Sequence, residues 1–392
     1  MVAKILVVDD EPDLEVLIQS KFKKAIKDKE FEFIFAHNGL EAMNLLRNDS
    51  DLNIILTDIN MPVMDGLTLL GTLSELNRPY RAAVVSAYGD MVNIRSAMNK
   101  GASDFVMKPI DFHDFEFTLR KMISEYWKLH EALTTEEHLK DIQKELDIAK
   151  AIQEAMLPSD FHPLPKFPLK IAGKMTPAKE VGGDFFDFFA LDNHRLALFI
   201  ADVSGKSISA CLYMIVTKSI LRALAPKNLT CEEVLKQMNE LLHTDNPSCM
   251  FVTAFYAILD SLDGSLTFCN AGHNFPYIIN KEGVVKKLAL DKSIALGISN
   301  PPPLPYKEGF IKLEDQDCLF LFTDGITDAM NPDLDLFTND RLEKILASQK
   351  NSLPESIMDA VGREIKAFAG SEAQHDDLTL LAIQYNSPSP PS

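Results

Sequence analysis

Two sets of acidic residues carry the chemical potential of this chain of 392 residues. The first is Asp9, Asp10 and Asp58, with Lys108 behind them. The second is Asp184, Asp202, Asp324 and Asp376. Carboxylates crowded together repel one another unless a divalent cation or a lysine compensates them. In the first set, a magnesium ion held by Asp10, Asp58 and the Asn60 carbonyl would leave one Asp58 oxygen free to attack a phosphoryl group, and Ser86 and Lys108 could bind the phosphoryl oxygens. The second set, with a backbone carbonyl, supplies what two-metal hydrolysis needs: several carboxylates around ions roughly 3.5–4 Å apart, with a bridging water made nucleophilic. Two phosphoryl chemistries on one chain mean that one of them controls the other.

The first 120 or so residues alternate short apolar runs (KILVVDD, FEFIFA, NIILTD, AAVVSA, DFVMKP) with amphipathic stretches near 13–27, 38–47, 66–76, 89–100 and 112–122. Strands alternating with helices require right-handed crossovers and give a parallel sheet covered on both faces. Ligands bind at the carboxyl ends of such strands, and Asp9, Asp10, Asp58, Ser86 and Lys108 each follow the apolar run of their own strand. Turns favour Asp, so one such acid means little, but five matched positions are not an accident of turn chemistry.

VVDD, LTDINMPVMDG, VVSA and VMKPID, over residues 1–122, closely resemble the receiver domain of two-component response regulators. The resemblance implies a flavodoxin-like α/β fold with Asp58 as phosphoacceptor and Asp9 and Asp10 in a Mg2+ pocket. It further implies Ser86 as switch hydroxyl, Lys108 as phosphoryl-binding lysine, Phe105 at the aromatic switch position and a sensor histidine kinase as partner.

From about 117 to 157 the pattern is helical, with no glycine or proline until Pro158. Leu129, Leu133, Leu139, Ile142, Leu146, Ala149, Ile152 and Met156 recur at mixed spacings, a heptad-like seam with interruptions. Two readings stay open for this linker, 123–160: a coiled-coil-like homodimer contact, or one amphipathic helix packed on its own chain. LPSDFHPLPKFP ends it.

Segment 165–387 has strand runs in meanders (LKIAGKM, RLALFIADVS, MFVTAFYAILD, SLTFCNAGHN, CLFLFTDGI, LTLLAIQY), interrupted by helices near 206–225, 231–243, 340–349 and 354–369. That order favours antiparallel sheets with helices packed outside, an α+β arrangement. Its four acids read as turn residues, in VGGDFFD, ADVSGKS, FTDGITDAM and HDDLT, where neighbouring glycines let the backbone approach a metal. With ELDIAKAIQEAMLP, NAGHNFP and TDGITDAMNP, these motifs resemble the SpoIIE-like branch of the metal-dependent (PPM) protein phosphatases, serine phosphatases of partner-switching pathways. The resemblance implies a β-sandwich flanked by helices and two Mn2+ or Mg2+ ions. Asp184 and Asp202 are then bridging-metal ligands joined by the Val203 carbonyl, and Asp324 and Asp376 complete the sites. Asp377 is the neighbour to be distinguished from Asp376, and Ser207 stands where the family has glycine, which puts metal affinity and basal activity in question. A phosphorylated STAS-type anti-sigma-factor antagonist is the implied substrate.

A net charge of −18 argues against binding nucleic acid through its phosphates. No run of eighteen uncharged apolar residues suggests a membrane span, so the expected location is the cytoplasm. Five cysteines without a CxxC pair read as reduced core thiols. Met98, Met107, Met122 and Met156 read as packing residues, His273 as a turn-holding histidine or a ligand, and 388–392 as a disordered tail. The competing function is a catalytically weak, phosphorylation-gated binding module; manganese-dependent hydrolysis of a chromogenic phosphate ester separates it from the enzyme.

Overall fold

The computed structural model describes residues 2–87, 90–159, 161, 167–244, 246–290 and 293–388. The proposed tail lies outside these beyond 388, as does most of the proline-rich stretch at 160–166. Two compact units divide the chain, 1–142 and 143–392.

In the first unit, strands β1 (Ala3–Val8), β2 (Phe31–Ala36), β3 (Ile54–Asp58), β4 (Arg81–Ala87) and β5 (Asp104–Lys108) alternate with helices α1 (Pro12–Lys21), α2 (Lys23–Lys27), α3 (Gly39–Asn48), α4 (Gly66–Thr72), α5 (Met91–Asn99) and the first part of α6 (Phe112–Met156), which continues past residue 142 into the second unit. All strand pairings are parallel, in the order β2-β1-β3-β4-β5. Every residue of β3 is buried, as a central strand covered on both faces must be. In β1, Leu6 and Val8 enter the core on one face, and Ile5 and Val7 enter the core on the other. Asn38 and Asp65 cap α3 and α4 by accepting bonds from Glu41 N (2.9 Å) and Thr68 N (2.7 Å).

The second unit is a sandwich of two five-stranded sheets. One has the order β13-β10-β9-β8-β7, from β7 (Phe185–Ala190), β8 (Arg195–Val203), β9 (Val252–Asp260), β10 (Ser265–Ala271) and β13 (Gly309–Lys312). The other has the order β12-β11-β14-β15-β6, from β6 (Leu169–Thr176), β11 (Tyr277–Ile279), β12 (Val285–Lys287), β14 (Cys318–Phe322) and β15 (Leu378–Tyr385). Their pairings are antiparallel. Leu198, Ile200, Phe255, Leu321 and Leu381 fill the space between the sheets. Helices α7 (Ile208–Leu224) and α8 (Cys231–His243) cover the first sheet, while α9 (Asn339–Ala347) and α10 (Pro354–Ala369) cover the second.

Ile208–Lys227 is long and apolar enough to cross a membrane by length and composition alone, yet Met214 and Leu221 on it are fully buried in the sheet–helix core. Two of its cations serve one buried acid: Asp187, fully buried on β7, takes the exposed Arg222 on both oxygens at 2.6 Å and the buried Lys218 Nζ at 2.5 Å. Burial lowers the Lys218 pKa against the pull of Asp187.

Strands β7, β11, β12 and β13 were not legible as strands. FFDFFA looks like a turn because of its acid, and the other three run only three or four residues. Cys249 is exposed, so the cysteines are not all core thiols. Met98 and Met107 are 43% and 46% exposed, unlike the buried Met122, because they lie on solvent-facing positions of α5 and β5.

Candidate functional sites

Strand β1 delivers Asp9 and Asp10, β3 ends on Asp58 and β5 ends on Lys108, so the parallel topology alone gathers the first site at one end of the sheet. Asp9, Asp10 and Asp58 each bring a carboxylate oxygen within 4.8 Å of the other two, with Asp9 and Asp58 buried and Asp10 exposed. Lys108 Nζ lies 2.7 Å from Asp58 Oδ2, 2.9 Å from Asp9 Oδ2 and 3.2 Å from Glu11 Oε1. Burial opposes the Lys108 charge, but its bonds to Asp58 and Asp9 outweigh that and raise its pKa. Burial also pushes the Asp9 carboxyl up, against bonds from the Glu11 amide and Lys108. One ammonium shared by three acids leaves net negative charge in a pocket with oxygen ligands only, which suits a hard cation such as Mg2+.

The Asn60 amide donates to Asp58 Oδ1 at 3.3 Å, which places residue 60 beside the acceptor. Ser86 is buried at the end of β4, and its hydroxyl has a long 3.5 Å contact to Asp90. Phe105, 37% exposed, sits on β5 opposite Val84.

The second site lies at one end of the sandwich. Asp202 is on β8 itself, paired with Thr253, and not in a turn. It shares the side-chain parity of Leu198 and Ile200, so it closes the inter-sheet core. Asp184 immediately precedes β7, Asp324 follows β14 in a short 3-10 turn, and Asp376 precedes β15. Asp184 is held by the Thr323 hydroxyl, which donates to its Oδ2 at 2.6 Å. Burial raises the Asp184 pKa well above the usual carboxylate range, and Asp202 adds to it. Burial first, then Asp324, lifts Asp202 to about 7. Asp324 is raised by burial and by Asp376. Acids so placed favour either protonation or a multivalent cation, and their all-oxygen donor set fits Mg2+ or Mn2+. Gly183 belongs to the cradle: a Cβ there would lie 2.9 Å from the Val203 carbonyl oxygen.

Four residues that the motifs did not single out as ligands or partners shape this site. Asp377, buried, staples the preceding loop, accepting from Ala178 N (2.8 Å) and Gly183 N (2.7 Å). Gln153, near the end of α6, clamps Gly182 through both backbone groups, at 2.7 and 3.1 Å. Thr323 orients Asp184, as above. Lys206 Nζ reaches Asp376 Oδ2 at 2.8 Å and the His375 carbonyl at 2.9 Å. His273 is a buried structural residue, its ring nitrogens 2.8 Å from the Thr253 hydroxyl and 3.1 Å from the Phe322 carbonyl.

Residues 5–120 match the response regulator receiver domain family, and residues 192–386 match the family of stage II sporulation protein E (SpoIIE). The phosphoserine phosphatase RsbU of Bacillus subtilis is 28% identical over 285 residues, 70% of this chain and 79% of that protein. Protein IcfG of Synechocystis is 28% identical over 269 residues, 62% of this chain, which spans only 42% of that protein's length. The chemotaxis protein CheY of Listeria monocytogenes is 36% identical over 107 residues, 27% of this chain and 86% of that protein. Among solved structures, the SiaA-PP2C domain of Pseudomonas aeruginosa superposes with a TM-score of 0.56 at 20% identity, over 64% of this chain and 99% of that one, a likeness of fold.

Proposed function

Because the chain belongs to the response regulators and carries a SpoIIE-type phosphatase domain beyond its receiver, we propose that phosphorylation of Asp58 controls metal-dependent hydrolysis of a phosphoserine or phosphothreonine in a partner protein. The observation that carries this reading is the convergence of Asp184, Asp202, Asp324 and Asp376 from four chain segments onto one end of the sandwich. The phosphoryl donor is a sensor histidine kinase, and the substrate a phosphorylated STAS-type anti-sigma-factor antagonist of the cytoplasm. RsbU, by name a phosphoserine phosphatase, supports serine as the target.

At the receiver, Lys108 engages Asp58 Oδ2 and the Asn60 backbone N–H donates to Oδ1, so the carboxylate is held from both sides in position to attack a phosphoryl group. Asp9, Asp10, Asp58 and the Asn60 carbonyl would hold Mg2+, Lys108 and Ser86 would take the phosphoryl oxygens, and Phe105 would answer the change in Ser86. At the phosphatase, Asp184, Asp202, the Val203 carbonyl, Asp324 and Asp376 would hold two divalent ions. When bound, the metals supply charge neutralisation at both sites and a nucleophilic water at the second. Thr323 and Asp377 keep the buried Asp184 and its loop in place.

Control passes along α6, whose Gln153 grips Gly182, two residues before Asp184. Leu133, Leu139, Ile142, Ile148 and Ile152 of α6 are 40–62% exposed, which supports a homodimer through this helix. The working divisions are a receiver at 1–122, a linker at 123–160 and a phosphatase at 165–387.

The experiment is turnover of the cognate phosphoprotein in Mn2+ with and without acetyl phosphate. A coupling of about 1–3 kcal/mol predicts about a 5- to 150-fold response. Asp58→Ala should remove the response, and Asp324→Ala the turnover. Equal turnover of wild-type protein in both conditions would refute the control, and a fully active Asp324→Ala the catalytic assignment.

A further inference from the structure

A cleft of about 680 Å³ runs between α10, strands β6 and β15, and the segments 325–330 and 372–376. Its apolar wall includes Ile326, Met330, Met358, Ile365, Leu378 and Leu380. One end is made by Gly325, His375 and Asp376, so the cleft is continuous with the phosphatase acids. We propose that this cleft binds the segment of the substrate protein flanking its phosphorylated residue, taking one apolar side chain inside and acidic side chains at its rim. The proposal rests on the phosphatase reading and adds the substrate's sequence chemistry to it.

Three observations select that occupant. A chain that places a phosphoserine beside Asp376 has the cleft within its next few residues, since an extended residue advances about 3.3 Å. Arg363 and Lys366, both exposed on α10, make no ion pair among the described residues, and they occupy the half of the helix that leads into the 372–376 turn. Of the acids lining the cleft near α10, Glu355 and Asp359 lie on the first half of the helix, Glu372 pairs with His375 at 3.0 Å and Asp376 with Lys206 at 2.8 Å, so the charges on the second half of the helix that line the cleft are these two cations. Gly362 is exposed in the interior of α10 and lines the cleft, and a Cβ there would meet nothing within 4 Å. Glycine at an exposed helix interior position costs about 1 kcal/mol against alanine. Packing within the chain gives no reason for it, whereas an incoming chain does.

The test uses the full-length protein loaded with Mn2+ and three fluorescein-labelled peptides carrying a non-hydrolysable difluoromethylene phosphonate analogue of phosphoserine, flanked by Leu and Glu, by Gly and Glu, or by Leu and Lys. Fluorescence anisotropy should rank the Leu/Glu peptide about tenfold tighter than either other, roughly the contribution of one largely buried leucine for the first comparison. Gly362→Trp fills the cleft from its open side and should erase the preference for leucine. Arg363→Glu with Lys366→Glu should erase the preference for glutamate. Gly362→Ala is the control and should keep both preferences. Hydrolysis of p-nitrophenyl phosphate, too small to reach the cleft, should be unchanged within about twofold in all variants. Equal affinity of wild-type protein for the three peptides, or a leucine preference that survives Gly362→Trp, overturns the proposal. Loss of aryl phosphate hydrolysis in the wild type would instead refute the phosphatase reading, while anisotropy would still read the cleft.

Discussion

Replacing Asp377 by alanine should destabilise the phosphatase domain far more than replacing its neighbour Asp376, although only Asp376 is assigned to a metal. Asp377 is 4% exposed, and its carboxylate receives Ala178 N–H at 2.8 Å and Gly183 N–H at 2.7 Å. The third contact, from Asp184 N at 3.4 Å, adds little at that length. Two charge-assisted bonds at about 1.5–3 kcal/mol each place the loss near 3–6 kcal/mol, and two amides lose their acceptor. For a domain of this size, about 2–4 °C per kcal/mol converts this to a fall in melting temperature of roughly 6–24 °C. Asp376 is 29% exposed in its side chain and pairs with a Lys206 that is 42% exposed, a contact worth at most about 1 kcal/mol. Asp376→Ala should therefore melt within about 4 °C of wild type while losing hydrolysis. Differential scanning calorimetry reads both, and labelling of Asp58 by acetyl phosphate verifies that the receiver is intact. Equal melting temperatures for the two variants would refute the division of labour between these adjacent acids.

Three further outcomes follow from the same geometry. In chelator-treated protein, Asp202 titrating near 7, with Asp184 and Asp324 also raised, means that the folded state binds more protons than the unfolded one between about pH 4 and 7; stability of the phosphatase domain should fall as pH rises through that window, and Mn2+ should flatten the slope in thermal melts. Gly183→Ala puts a methyl 2.9 Å from the Val203 carbonyl oxygen and 3.1 Å from the Ala210 Cβ, so that carbonyl must move; at about 1–2 kcal/mol of misfit, Mn2+ affinity by calorimetric titration should weaken roughly 5- to 30-fold. Thr323→Val removes the 2.6 Å bond to Asp184 and an acceptor for Thr379 N, and should cost about 1–3 kcal/mol in denaturant unfolding.

The receiver was readable nearly element by element because its strands are covered on both faces. Such strands appear as unbroken apolar runs, and the acids that follow them lie where parallel topology gathers ligands. The sandwich was less transparent. Asp202 looked like a turn residue beside Ser204 and Gly205, but it sits on the inward side of β8, a placement decided by pairing with β9. Strand β7 was hidden by Asp187, whose partners Lys218 and Arg222 lie some thirty residues further along a helix. The roles of Asp377 and Gln153 depend on contacts across 194 and 29 positions of sequence, and no local spacing encodes those.

The buried pair of Asp187 and Lys218, flanked by the exposed Arg222, also limits how this protein can change over generations. Removing one member of such a group strands the remaining charge away from water, at about 3–5 kcal/mol, whereas exchanging all members for well-packed apolar side chains is often neutral or favourable. That loss is a large part of the 5–15 kcal/mol by which a typical domain stays folded. A lineage that accumulates substitutions singly must cross a poorly folded intermediate to leave the charged arrangement. The pair is thus kept by the depth of the valley around it, whether or not charge is the best solution at that position, and Asp187 and Lys218 should be inherited or lost together.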